Sequence, residues 1–332
     1  MNTRHNGATG CLVKLRLLLA LLLGLCVLAM VLARFDLHVV MASLSRVGVG
    51  GFLLIVAAGL AAEIVLASGI IPLLTDTVPL WAVAASRQLR DSAADVLPIT
   101  QLGGIAFAAR ALVLTGLRAP AASAAVIADF TTEAFAQGLY VLVGVAASLS
   151  LLQKSTLLSP YVGAMLAGAL FLSLGSMGFA LLQVGGSRWI ERISEKLFPG
   201  ASAHTQAFRE AIHGIYRRRG RLFMSMLLQL TGWMASGLWL WVILKVMKFS
   251  TGFWSAIALQ ALLEGLRSAL VFIPAAVGVQ EAGYAALAPL FGLAPETGLA
   301  ISLLRRARDV TIAVPVLLLW QLAEARRAAR TS

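Results

Sequence analysis

The chain has 332 residues, of which 59% are hydrophobic and only 13% charged, and its mean hydropathy is +0.87. A water-soluble domain carries about 25% charged residues, so this composition excludes a soluble protein and predicts an integral α-helical membrane protein. The net charge of +12 does not indicate nucleic-acid binding. The basic residues lie in short loops between apolar runs, where cytoplasmic Lys and Arg are expected.

Metal, disulfide and nucleotide chemistry find no support in the sequence. The two cysteines, Cys11 and Cys26, both lie near the N-terminus and cannot join distant elements. The four histidines are too scattered for metal-ligand spacing, and the chain has neither a G-x-x-x-x-G-K-[ST] phosphate loop nor a G-x-S-x-G motif. We therefore expect no cofactor and no metal. The histidines are His5, His38, His204 and His213.

Apolar runs along the chain predict a polytopic protein. Residues 17–33 indicate either a signal peptide or a retained first helix, and we favour the helix because the repeat described below needs it. Two weaker stretches, about 79–117 and 254–293, are interrupted by Pro98 and Pro274 and predict broken hairpins. The remaining predicted spans are 47–74, 120–152, 160–184, 222–246 and 296–322.

The long polar loop 185–221 contains eight basic and three acidic residues, and its charge of +5 predicts a cytoplasmic position. Its first part, Trp189 to Phe198, has the pattern of an amphipathic helix on the membrane surface. The tail carries Arg326, Arg327 and Arg330, so both termini are predicted to be cytoplasmic.

The chain contains a weak internal repeat with an offset of about 176 residues. Pro98 corresponds to Pro274, and each begins an arm that ends in a similar Gly-Leu-(Arg)-Ala-Pro sequence at 116–120 and 292–295. Because the loop charges make equivalent spans run in opposite directions, we predict two inverted-topology repeats, 1–152 and 153–332. Each repeat would contain three spans and one Pro/Gly-broken re-entrant hairpin facing the centre.

Three polar residues form one stripe on the third span. Asp129, Glu133 and Gln137 recur at every fourth position, which places them on one helix face. A charge at the bilayer centre costs at least about 2.5 kcal/mol, so the stripe must face protein or water. It predicts a lipid-headgroup or proton site, or else a wet face of a helix that begins at the membrane surface.

The last span holds Arg305, Arg306, Arg308 and Asp309. Arg305 and Asp309 are four residues apart and can pair, whereas Arg306 is expected to face the acids of the first repeat. The guanidinium fork suits phosphate, so these arginines are a candidate headgroup clamp. A structural ion-pair cluster that joins the repeats is the alternative.

Other charges lie alone or beside the hairpins. For Glu63 we expect a buried arginine partner. Arg110, Glu264, Arg267 and Glu281 are candidates for the central site, with packing or snorkelling as the alternative.

These motifs resemble a known family. Gly103-Gly104 to Arg110, Asp129-x-x-x-Glu133-x-x-x-Gln137, Gly278-Val279-Gln280-Glu281-x-Gly283 and the arginines at 305–308 resemble the flippase-like family related to the transmembrane region of lysylphosphatidylglycerol synthases. Within it they are most similar to the hopanoid-biosynthesis-associated branch. The chain departs at Ile105, where family members often have an acidic residue.

The resemblance implies a bacterial inner-membrane protein that moves a lipid or lipid-linked group between leaflets. Arg110, Asp129, Glu133, Glu281, Arg306 and Arg308 match the family's candidate residues. Membrane lipids are the expected partners, together with hopanoid-biosynthesis proteins. With no soluble aminoacyl-transferase domain in its 332 residues, the chain is not expected to make lysyl-lipids.

Two other functions stay open. Asp129 and Glu133, one helical turn apart, could be the acid and base of an intramembrane lipid-modifying enzyme. The basic loop 185–221 could instead recruit hopanoid enzymes to a non-catalytic scaffold.

Overall fold

The computed structural model describes residues 45–96, 101–151, 170, 202–269 and 278–331. Several predicted features lie outside these residues: the first helix 17–33, the span 160–184 apart from Leu170, the amphipathic helix 189–198, and both hairpin prolines, Pro98 and Pro274. The described residues form α-helices and short 3₁₀ segments, without a β-strand among them. The prediction of an all-α protein is confirmed to that extent.

The helices follow one another in this order: α1 Gly48–Ala67, α2 Leu80–Val96, α3 Gln101–Leu114, α4 Ala119–Leu151, α5 Ser202–Arg217, α6 Arg219–Val246, α7 Phe253–Ala269, α8 Val279–Leu287 and α9 Pro295–Thr331. Helix α1 continues into a 3₁₀ segment, Ser68–Leu73, which contains Pro72. A proline has no backbone N–H to donate, and the chain becomes extended at Leu74. A second 3₁₀ segment, Ala288–Phe291, follows α8.

Three segments of the described chain are long and apolar enough to cross a membrane: Gly48–Leu73, Ala119–Ser150 and Arg219–Val246. They agree with the predicted spans 47–74, 120–152 and 222–246. The predicted last span forms a longer helix, α9, which contains Pro315. It is not one of the three, because the charges along it interrupt its apolar stretch.

The helices expose apolar side chains and bury charged ones. Val49, Trp81 and Leu319 are 79%, 72% and 66% exposed, whereas Arg90 and Glu281 are 4% and 0% exposed. A protein in water has the opposite distribution. The outer surface is therefore suited to lipid, and the polar chemistry of this protein lies in its interior.

Helix α6 occupies the centre and packs against α1, α4 and α7. It runs antiparallel to α1, since Gly51 lies against Val246 and Gly232 lies against Leu66. The crossing of α4 and α7 is equally close. A Cβ atom on Gly144 would lie 2.2 Å from the Cβ of Ala261, so any larger residue would push these helices apart.

The shorter helices form two pairs. Helix α2 packs against α3, and α7 packs against α8. Each pair also contacts a long helix from the other part of the chain, since α2 packs against α9 and α7 against α4. These crossed contacts bring charged residues that are distant in sequence into one interior.

The end of the predicted polar loop is helical, which the sequence analysis did not predict. Residues Ser202–Arg217 form α5, which packs on α4. Ile212 and Ile215 on one face are buried, while Gln206 and Glu210 are exposed. The next helix begins at Arg219 rather than at the predicted residue 222.

Candidate functional site

Two arginines of α2 meet two carboxylates of α4 in the interior. Arg87 Nη2 lies 2.5 Å from Glu133 Oε1, and Arg90 Nη2 lies 2.9 Å from Glu133 Oε2. Arg90 also lies 3.9 Å from Asp129. Asp91 completes the group, 3.3 Å from Arg87 and 2.9 Å from Arg90. We call these five residues the arginine–carboxylate cluster.

The central helix α6 holds the acidic side of this cluster in place. Gln229 Nε2 donates a hydrogen bond of 2.6 Å to Asp129 Oδ1. The hydroxyls of Thr132 and Ser225 lie 2.9 Å apart one turn away. Asp129 and Glu133 are both buried and both engaged, so neither is a free acid or base.

A second polar group lies where α7, α8 and α9 meet. Arg305 donates hydrogen bonds to Gln260 and to the hydroxyl of Tyr284, and its Nη2 is 4.0 Å from Glu264. Tyr284 in turn donates to Gln260 at 2.7 Å, and Gln260 donates to Glu264 at 2.8 Å. Arg267 completes the group, 3.2 Å from Glu264.

Glu281 ties the start of α8 to α9. Gly278 has a φ of +79°, a conformation that favours glycine, and its N–H donates to Glu281 Oε2 at 2.9 Å. The other carboxylate oxygen accepts a hydrogen bond of 2.8 Å from Arg306. One fully buried carboxylate therefore caps a helix and neutralises an arginine.

Arg308 links α9 to α1. Its Nη1 lies 2.5 Å from Glu63 Oε1 and 3.0 Å from Asp309 Oδ1. The indole of Trp239 lies between this arginine and the second group, 5.0 Å from the Arg308 guanidinium and 4.6 Å from that of Arg305. Since both distances suit cation–π contact, Trp239 connects the two polar regions through the core.

The interior charges nearly cancel. Each of six arginines has a carboxylate within 4.0 Å, and seven carboxylates take part. Burial makes each unpaired charge costly, which explains why the arginines are matched. The arginines are Arg87, Arg90, Arg267, Arg305, Arg306 and Arg308, and the carboxylates are Glu63, Asp91, Asp129, Glu133, Glu264, Glu281 and Asp309.

The family model for the lysylphosphatidylglycerol synthase TM region matches residues 17–318. The chain belongs to this family. It is thus a membrane protein of a family tied to lipid handling, as the resemblance predicted. Comparison with curated proteins gives no match, and neither does comparison with solved structures.

In this family member most of the predicted site residues lie in the interior. Asp129, Glu133, Glu281, Arg305 and Arg308 are buried. Glu63 has the buried arginine partner that was expected, Arg308. Gln137 is half-buried on the same helix, one and two turns beyond the two acids.

Three predictions about individual residues are wrong. Arg110 does not join the central site: it is exposed and binds Glu324 of α9 through two hydrogen bonds of 3.0 and 3.2 Å. Arg306 does not face the acids of the first repeat but pairs with Glu281. Asp309 pairs with the adjacent Arg308, because Arg305 is turned towards α7 and α8.

Several residues of the site were not singled out from the sequence. Arg87 and Arg90 lie three residues apart, so they share a helix face, and that spacing was the available signal. Gln229, Gln260 and Tyr284 carry no comparable signal, because single polar residues in apolar helices have no pattern.

Proposed function

We propose that this chain is a flippase-like transporter that moves a lipid or lipid-linked group between the leaflets of the bacterial inner membrane. A buried network of matched charges at the meeting point of α1, α2, α4, α7, α8 and α9 is the observation that carries this proposal. A hopanoid-related lipid or an anionic phospholipid is the proposed cargo, and the hopanoid-associated branch is the proposed place within the family.

Two inverted repeats, residues 1–152 and 153–332, form part of the proposal. Helices α4 and α9 begin at Ala119 and Pro295, 176 residues apart, which agrees with the repeat offset. Helices α1 and α6, the equivalent spans, run antiparallel. The contacts are also reciprocal, since α2 packs on α9 and α7 packs on α4. All three observations support a two-fold relation in the plane of the membrane.

The polar groups of the two repeats have opposite charges at equivalent positions. Asp129 and Arg305 are 176 residues apart in sequence. In the first repeat, arginines of α2 bind acids of α4. In the second, an acid of α7, Glu264, lies near the arginine of α9. This arrangement supports a site that can pass a charged group from one set of partners to another.

In the proposed mechanism, a headgroup phosphate competes with carboxylates for the arginines. Arg306 is the most open of the six, with 28% of its side chain exposed, and its partner Glu281 is fully buried. A phosphate that binds Arg306 would release Glu281 to take a proton or to cap α8 alone. Rocking of the two repeats would then alternate access to the site.

The test is a leaflet-resolved assay with fluorescent phosphatidylglycerol in proteoliposomes. Glu133→Gln removes the charge that holds Arg87 and Arg90 while keeping the shape of the side chain. A hydrogen bond to a charged group contributes about 1.5–3 kcal/mol, so we expect the rate of transfer to change by roughly tenfold or more.

The matched control is Glu324→Gln, which removes a carboxylate at the exposed pair with Arg110 and should leave the rate unaltered. Equal rates in both variants and in the unaltered protein would refute the site. Mass spectrometry of the recovered lipid separates transport from chemistry, since transport returns the lipid unmodified. A covalently altered lipid would favour the intramembrane enzyme.

A further inference from the structure

A cavity of about 300 Å³ lies apart from the arginine–carboxylate cluster, between α5, the first turns of α4 and α6, and the segment that follows α1. Three arginines, Arg118, Arg218 and Arg221, line it, against one carboxylate, Glu210. Its remaining lining is mostly apolar and includes Leu73. The cavity therefore combines positive charge with an apolar wall.

The position of the cavity relative to the membrane follows from the spans. All three candidate spans have an end here, at Leu73, Ala119 and Arg219. The ends of apolar helices lie at the level of the lipid headgroups. The cavity thus opens where phosphate groups of lipids are concentrated.

The charges in the cavity are not neutralised by the protein. Within the part of the chain that the structure describes, Arg118 and Arg218 have no carboxylate within 4.0 Å. Arg221 donates only to the backbone carbonyl of Leu74, at 3.4 Å, and Glu210 accepts from Gln206 at 3.1 Å. The interior arginines, in contrast, all have carboxylate partners.

Two helix ends add to the positive potential. Helices α4 and α6 both begin beside the cavity, and Pro120, in the first turn of α4, lines it. The N-terminus of an α-helix carries a partial positive charge and backbone N–H groups without helical partners. An anion in this cavity would therefore meet guanidinium groups and helix N-termini together.

We propose that this cavity binds the phosphate of an anionic phospholipid headgroup from the adjacent leaflet. Basic pockets between transmembrane helices are suited to such headgroups, and the apolar wall favours a lipid over a free anion. Since α5 lines the cavity and packs on α4, the bound lipid would hold this amphipathic helix against the bundle. The inference is independent of the proposed transport.

The test measures binding of phosphatidylglycerol to the purified full-length protein. Phosphatidylglycerol is titrated into the protein in phosphatidylcholine nanodiscs, and the apparent Kd is read from the rise in the thermal midpoint. Arg118→Gln with Arg218→Gln removes two charges from the cavity, and we expect the affinity to fall by roughly tenfold or more. Arg217→Gln with Arg219→Gln removes the same charge from exposed neighbours that do not line the cavity, and should bind like the unaltered protein.

Further arms separate the possible outcomes. Equal losses in the two double variants, or no loss in either, would overturn the proposal. Inorganic phosphate that competes as well as phosphatidylglycerol would retain the phosphate chemistry and overturn the lipid as its source. Arg118→Lys with Arg218→Lys keeps the charge and is expected to bind detectably, which distinguishes a lost site from a misfolded protein. Transport is not part of this readout, so either proposal can fail alone.

Discussion

Arg308 pairs with Glu63 and Asp309, and it is 3% exposed. A guanidinium in so dry a place is stabilised only while its partners stay charged and close. Glu63 depends on it equally, because α1 provides no other charge near that carboxylate. At the scale of the residue, therefore, the interior charges act as obligate pairs.

Arg308→Gln is expected to destabilise the protein by about 3 kcal/mol, because it leaves Glu63 buried without a counter-charge. Glu63→Gln added to this variant should recover most of the loss, since the pair is then removed as a whole. Thermal unfolding of the detergent-solubilised protein measures both effects. Arg110→Gln, at the exposed pair, should cost less than about 1 kcal/mol. A loss in the double variant as large as in the single one would contradict the pairing.

Sequence reasoning at this scale predicts which residues are buried better than it predicts their partners. The cost of a lone charge in an apolar helix indicated that Glu63 needs an arginine, and Arg308 provides it. The four-residue spacing of Arg305 and Asp309 did not predict their partners. Spacing shows which residues share a face of one helix, whereas Gln260 and Tyr284, on other helices, compete for Arg305.

The start of α8 shows how one element is fixed by its first residues. Gly278 adopts a positive φ, and its N–H is bound by Glu281, whose carboxylate also binds Arg306. The cap and the ion pair therefore depend on each other. If the backbone at Gly278 changes, the carboxylate loses one of its two fixed contacts.

Gly278→Ala is expected to cost about 1–2 kcal/mol, because a residue with a Cβ is strained at this φ. The control is Gly214→Ala in α5, where no atom lies within 4 Å of the added Cβ and the higher helix propensity of alanine should be neutral or stabilising. Thermal unfolding of both variants under one set of conditions provides the comparison. A Gly278→Ala variant as stable as its control would contradict the strained cap.

Helices are predictable from this sequence where they are long and apolar. The three candidate spans were placed to within about three residues, because their only plausible solvent is lipid. Helix α5 was missed since its composition is polar and only two of its isoleucines are fully buried, against residues that are distant in sequence. Composition predicts a loop at that place, and tertiary packing decides otherwise.

For the whole molecule, the basic end of the bundle is predicted to face the cytoplasm. Helix α6 is 28 residues long, about 42 Å at 1.5 Å per residue, and it joins the cluster Arg217–Arg219 to the loop that contains Ser250. Its two ends must therefore lie on opposite sides of the membrane. The positive-inside rule assigns the arginine end to the cytoplasm.

Single cysteines test this orientation in a chain that also carries Cys11→Ser and Cys26→Ser. Gly220→Cys and Ser250→Cys are both at exposed positions. A membrane-impermeant maleimide should label Ser250→Cys in right-side-out vesicles and Gly220→Cys only in inverted vesicles. The reverse pattern would invert the topology, and labelling of both from one side would contradict α6 as a span.

The pair between Glu63 and Arg308 has a consequence for how the protein is made. Its partners are separated by 245 residues, so the ribosome releases Glu63 into the membrane long before Arg308 exists. Throughout that interval, α1 holds an unmatched acid that must stay protonated, near the headgroups or in contact with insertion machinery. Completion of the last helix thus serves as a checkpoint for assembly. Chains that terminate before it would retain an exposed acid within the bilayer, a mark by which membrane proteases could recognise unfinished molecules.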